Sequence, residues 1–289
     1  MKRTRNSQRH TVPLLAGLGL LGLSCWGGDT ILLEETIKVK PGEIWDGNGA
    51  TYVSNGEFPM MTLANGCTVR NVTLIGRKTC DGILSRTAHR WLIENVRVSS
   101  CSNGLAITES WIVSVRDCHF NGCENGIALT GRAVNDLKVT GGEIAGNTVG
   151  VSITGFDHYG NKISSCIEGN KRYGIAVTGS VGSLLVFGCY FEQNGACDVY
   201  VANYAAAGVK CDSNFHLRTA VGVWLLSGID PYIGRSTFYC KQPWLIERAV
   251  RNAYVDWNDY MNWGGFNDPK PSTSNKSATT QFHPIGMPK

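Results

Sequence analysis

The chain has 289 residues, 43% of them hydrophobic, enough to bury a sizeable core in one elongated domain or two ordinary ones. Glycine, with 35 residues, makes up about 12% against a usual background of roughly 7%, and charged residues only 17%, a balance that predicts many turns and few solvated helices. Lys2, Arg3, Arg5 and Arg9 account for the whole net charge of +4, so the rest of the chain lacks the Lys and Arg surplus that neutralising a duplex nucleic acid demands.

The first element in chain order is a leader. Residues 1–13 are polar and basic, and Leu14 to Trp26 form an apolar run rich in Leu and Gly. A basic head and an apolar run this short read as a signal peptide over 1–26, since a membrane span needs about 20 apolar residues. No later segment is apolar for that long. Export to a secreted, periplasmic or surface location is therefore expected. Residues 27–65 are assigned to an N-terminal cap and a first coil, with Asp29 to Val39 supplying a short helix or strand to cover the open edge that any solenoid has at its start.

From about residue 66 the chain repeats itself. A Gly–aliphatic motif sets the register at Ile83, Leu105, Ile127, Val151, Ile175, Val199 and Val223, with steps of 22, 22, 24, 24, 24 and 24. Each anchor follows a glycine, except Val199, which follows Asp198; most have another aliphatic residue two positions later. Ten residues before six of the anchors, and twelve before Ile83, stand Asn71, Asn95, Asp117, Gly141, Ser165, Cys189 and Ser213. Several of these tolerate a left-handed turn cheaply. A period of 22–24 with strand-like alternation means stacked coils of three strands, paired in parallel from coil to coil about 4.8 Å apart. The fold class is all-β, a right-handed parallel β-helix over 66–250. The leucine-rich repeat frame is absent, and no coil has a helical pattern between its strands. Leu245 and Ile246 fall near the next anchor, and 251–289 is an irregular tail rich in Trp, Asn, Pro and Ser.

Ten cysteines follow Cys25, an even number compatible with disulfides. No C-x-x-C pair occurs, and several cysteines fall on the repeat, which favours small apolar filling of the core.

Alternation then identifies the outward positions. On the anchor strand they are nearly blank: Ala106, Ala128, Ser152 and Ala176 beside the threonines 108, 130, 154 and 178, followed by Tyr200 and Trp224, which offer rings to a sugar. On the strand after the Asn turn the row reads Arg97, His119, Glu143, Glu168, Glu192 and His216, all titratable. Stacking sets Glu168 beside Glu192, where mutual repulsion raises one apparent pKa and makes an acid next to a base. His216 is expected to orient Glu192, and Asp212 and Tyr190 to share the face. The row changes phase by one residue between Glu143 and Glu168, so a bulge must intervene. A second candidate is the turn Gly155 to Gly160, with Asp157 and His158; on the same edge His89, Arg90, Glu109, Trp111, Arg132 and Tyr204 are expected to line a groove in which Arg90 and Arg132 meet the carboxylates of an anionic glycan.

The segments Trp45–Gly49, Gly66–Val72, Cys80–Ile83 and Phe191–Gly195 resemble the pectate lyase-like superfamily over roughly residues 37 to 250. The resemblance implies an extracellular protein that binds and cleaves an acidic polysaccharide, as lyase or glycoside hydrolase. The alternative it implies is a non-catalytic glycan-binding surface protein or a tailspike-like receptor binder on a virion, which would be a trimer. It also leaves room for Ca²⁺, but no cluster of Asp on one strand marks a place for it, and no other cofactor is expected. The paired Asp, Gly-His-Gly and Arg-x-Lys set of the polygalacturonases is missing.

Overall fold

The computed structural model describes residues 30–256, 258–260, 272–273 and 279–280, and all regular structure among them is β. The leader assigned to 1–26 lies outside the described residues. Each coil contributes one strand to an 11-stranded parallel sheet, here the anchor sheet, which begins at Ile37–Lys38 and ends at Ser272–Thr273. Ile83, Leu105, Ile127, Val151, Ile175, Val199 and Val223 pair in that order, as their spacing predicts. All seven are fully buried. Below them the column continues to Met61 and Ile37, so coils are already stacked ahead of residue 66. Above, Val223 pairs with Trp244, whereas Leu245 and Ile246 pair with Trp224's and Leu225's positions. The parallel ladder also runs past Val250, through Tyr254–Val255 and Asp259–Tyr260.

The glycines that precede the anchors allow the coils to approach. A Cβ on Gly126 would stand 2.7 Å from the carbonyl oxygen of Gly150, closer than van der Waals contact allows.

After the anchor sheet the chain turns into a second strand, bends sharply and enters a third. The bend residues Asn71, Asn95, Asp117, Gly141 and Ser213 are left-handed, with φ between 50 and 66°. Ser165 and Cys189 are not; Gly188 takes the left-handed role in its coil, at φ 62°. The bulge expected between Glu143 and Glu168 lies instead ahead of Glu143, between Thr140 and Glu143, where Gly141 and Gly142 are both left-handed. The hydroxyl of Ser165 donates to the Gly141 carbonyl at 2.9 Å and fastens the bulge to the next coil.

At the front, Thr30–Leu33 pairs in parallel with Thr51–Ser54 and is the first described strand of its sheet. The core is one continuous column of inward side chains. On the third strand it runs Leu74, Val98, Phe120, Ile144, Ile167, Phe191, His216, Phe238. The ten described cysteines are free thiols, nine of them buried, in keeping with core filling.

Candidate functional site

Outward positions on the third strands form two parallel columns. One reads Arg97, His119, Glu143, Cys166, Tyr190, Phe215; the other reads Ser99, Asn121, Ala145, Glu168, Glu192, Leu217. The bulge at Gly141 and Gly142 shifts Glu143 by one residue against the next coil, so that it pairs with Cys166 and Glu168 stands in the neighbouring column. Glu168 and Glu192 are directly paired on adjacent parallel strands, and Glu143 lies diagonally to Glu168.

The two paired carboxyls have different surroundings. Glu168 is pushed above the usual carboxylate range, first by burial and then by the charge of Glu143. The Cys166 thiol donates to its Oε2 at 3.7 Å and works in the other direction. Glu192 instead accepts the Tyr190 hydroxyl at 2.7 Å on Oε2, and the Arg218 guanidinium stands 3.5 Å from Oε1. Holding that carboxylate pushes the Tyr190 phenol up to about 12. His119 Nδ1 lies 3.3 Å from Glu143 Oε2, with both side chains about one-third exposed. The face thus brings together a carboxyl whose pKa is raised by burial and a neighbouring charge, and a second carboxyl held by a phenol and a guanidinium.

At the N-terminal end of this face, Arg97 borders a cleft of about 290 Å³ lined by Asp46, Asn48, Asn71, Thr73 and Asn95. Asn95 donates to Asn71 at 2.8 Å, and Asn71 to Asp46 at 3.1 Å, so the turn residues also form a polar ladder along the cleft. Sequence reasoning used those asparagines only as turn formers and did not connect Arg218 with Glu192. The signal for the cleft was the recurrence of Asn at consecutive turns.

Two expected members of this face, His216 and Asp212, are elsewhere, and His158 of the second candidate turn is sealed in the interior. His216 is fully buried in the inward column, stacked between Phe191 and Phe238 at 5.0 and 4.4 Å, with Nδ1 2.9 Å from buried Asp198. Phe191 to His216 is 25 residues instead of 24, and one extra residue turns an outward position inward; Leu217 stands next to Glu192 instead. Asp212 precedes the sharp bend, on the second strand, where it pairs with Arg235. His158 is fully buried: Nδ1 accepts the Val134 amide at 3.2 Å and Nε2 lies 2.6 Å from the Thr154 carbonyl. Burial pushes its pKa down. Asp157 stays near the surface but binds Arg132 at 3.5 Å, on the corner between the anchor strand and the second strand. Arg132 is therefore occupied by a carboxylate of its own chain.

Among the described residues no three His, Cys, Asp or Glu side chains stand together as a metal site.

The family model described as the right handed beta helix region matches residues 59–228. The chain belongs to that right-handed β-helix family. No curated protein matches it in sequence. Among solved structures, this β-helix is similar to Geobacillus virus E2 ORF18, with a TM-score of 0.57 and 13% identity, over 80% of this chain and 52% of the viral one. The chain thus spans about half the length of that viral protein. It is also similar to the A-module of Azotobacter vinelandii mannuronan C-5 epimerase AlgE4, with a TM-score of 0.54 and 14% identity, over 88% and 91% of the two chains. A third relative is PfbA, a surface adhesin of Streptococcus pneumoniae, with a TM-score of 0.56 and 11% identity, over 81% and 82%. At such identities these β-helices share a fold.

Proposed function

We propose that this protein is an exported, carbohydrate-acting β-helix that binds a polysaccharide along the third-strand face and hydrolyses it with Glu168 and Glu192. The observation that carries this reading is the direct pairing of those residues in unlike surroundings. Glu168, whose pKa is raised by burial and by Glu143, serves as the acid that protonates the glycosidic oxygen as the bond to the anomeric carbon breaks. Glu192, positioned by Tyr190 and Arg218, forms a bond to that carbon. Water then displaces Glu192 and gives its proton to Glu168, the sequence of a retaining glycosidase. Arg97, His119 and the Asn cleft supply binding groups toward one end of the face. Glu143 and Glu192, both turned toward the glycan, oppose a polymer charged at every sugar, so the face fits a neutral or sparsely acidic chain better than a polyuronate. The same repulsion disfavours β-elimination, which requires the uronate carboxylate to be neutralised. The leader over 1–26 supports export.

The test is turnover by the full chain on a panel of neutral and acidic polysaccharides, read as reducing ends and as ultraviolet absorbance of unsaturated sugars. Glu192→Gln is expected to lower kcat by at least about 10²-fold while glycan binding persists. Unchanged turnover in that variant, or unsaturated products from the parent chain, overturns the hydrolytic assignment.

A second reading, a glycan-holding surface or virion module without catalysis, is favoured by likeness of fold to a viral protein and a surface adhesin. Binding without products across the panel, together with a trimer by light scattering, would establish it.

A further inference from the structure

At one level of the coil, cysteines take the place of asparagines. Asn194, Asn170 and Asn147 are hydrogen-bonded from coil to coil at the looser turn before the anchor sheet, and Asn147 Oδ1 accepts the Cys123 amide at 2.9 Å. Below Cys123 the next residue of the column is Cys101, and the amide ladder stops there.

The register fixes this pair. Ser99 pairs with Asn121 and Asn103 with Asn125, so Cys101 and Cys123, each midway between, stand directly over one another. Adjacent parallel strands hold such Cα atoms about 4.8 Å apart, within the roughly 4.4–6.8 Å that a disulfide spans. The two side chains run the same way: Cys101 Sγ lies 3.4 Å from the Ser99 carbonyl oxygen, and Cys123 Sγ 3.5 Å from that of Asn121. Both are buried thiols. They also meet each other, since a hydrogen bond between them pushes the Cys101 thiol up and the Cys123 thiol down.

Cys80 is the rival partner. A Cβ on Gly76 would stand 2.8 Å from Cys80 Sγ and 2.6 Å from Cys101 Sγ, so all three sulfurs lie in one row. The pairing of Ile83 with Leu105, however, sets Cys80 opposite Ser102, one residue out of line with Cys101. Its thiol is held inside its own turn, donating to the Arg77 carbonyl at 3.2 Å and accepting the Arg77 amide at 3.4 Å.

We propose that Cys101 and Cys123 form a disulfide between neighbouring coils when the chain folds in an oxidising compartment, a covalent clip that continues the fastening begun by the asparagines. The clip rests on the export reading for its compartment and on no step of the cleavage reading. The oxidant is a small-molecule or protein disulfide. One thiolate of the pair attacks it and releases the first thiol; the second thiolate attacks the mixed disulfide and releases the other. Two protein thiols are thereby oxidised, one external disulfide is reduced to two thiols, and the two protons pass to those leaving groups. Because both sulfurs are buried, the exchange belongs to the folding chain.

The experiment is refolding of the full chain in a glutathione redox buffer, alkylation of the remaining thiols and non-reducing peptide mass spectrometry, with fragmentation that separates Cys123 from Cys118. A Cys101–Cys123 peptide pair lighter by two hydrogens is expected, retained in Cys80→Ala and absent from Cys101→Ala and Cys123→Ala. The linked chain is expected to melt roughly 5 °C above the reduced one. Free thiols after oxidative refolding, a link between any other pair, or a linked chain that melts no higher than the reduced one overturns the proposal. Glutathione supplies the oxidant here and no glycan is turned over, so such a failure leaves export and cleavage to their own tests.

Discussion

Glu168 binds its proton more tightly in the folded chain than an unfolded glutamate does, because burial and the Glu143 charge both oppose ionisation. The sign of the linkage follows: below the unfolded pKa the penalty is absent, and as pH rises through the folded pKa stability is lost. Glu168→Gln is therefore expected to raise the melting temperature at neutral pH and leave it unchanged at strongly acid pH. Calorimetry at the two pH values checks this, and an equal shift at both would show that ionisation of Glu168 is not the cause. Single residues were also where the sequence was least legible. His158, His216 and Asp212 were recognised as titratable, but the first two are sealed in the interior and the third is on another strand.

At the scale of elements, an internal amide ladder fastens the looser turn between the third strand and the anchor sheet. Asn170 accepts from the backbone and side chain of Asn147 at 3.1 Å each, and donates to the Ile144 carbonyl at 3.1 Å and to Asn194 at 2.9 Å. Asn194 continues the ladder to buried Asp198, which also holds His216 and Thr219. In earlier coils the same inner turn holds Cys101 and Cys123, and the Cys123 amide donates to Asn147 at 2.9 Å. Asn170→Ala leaves several buried groups unpaired and is expected to cost about 3 kcal/mol. A lowered urea midpoint with an unchanged slope would confirm the loss, and a midpoint within error of the parent would show that water replaces the amide. Repeat spacing exposed the anchor strands because aliphatic alternation is periodic. The ladder stayed hidden because its positions hold Cys in some coils and Asn in others, residue types that no hydrophobic pattern joins.

The whole molecule is quasi-one-dimensional: each coil touches the coil before and the coil after, so stability accumulates coil by coil. Val149 pairs with Tyr173, and residues 149–172 are one complete winding. Deleting that winding is expected to preserve the β-type circular dichroism at a lower melting temperature, because the remaining strands can still pair. It would also place Ala145 next to Glu192 in place of Glu168, so glycan turnover should vanish. A deleted chain that unfolds outright would show that the Gly141–Gly142 bulge cannot be joined to the coil two steps above it. A deleted chain with parental turnover would remove Glu168 from the reaction.

Residue spacing by itself determined the coiled architecture, the buried anchors, the need for a bulge and the pairing of Glu168 with Glu192, because each depends on a period that can be counted along the chain. Tertiary structure alone decided which way His216 points, what Arg132 and Asp212 bind, and what surrounds each carboxyl of the pair. One residue added within a coil reverses the facing of every later position until another irregularity absorbs it, and the place of absorption is set by packing between windings. The surroundings of Glu168 come from residues 25 before and 24 after it, and only stacking brings those into contact.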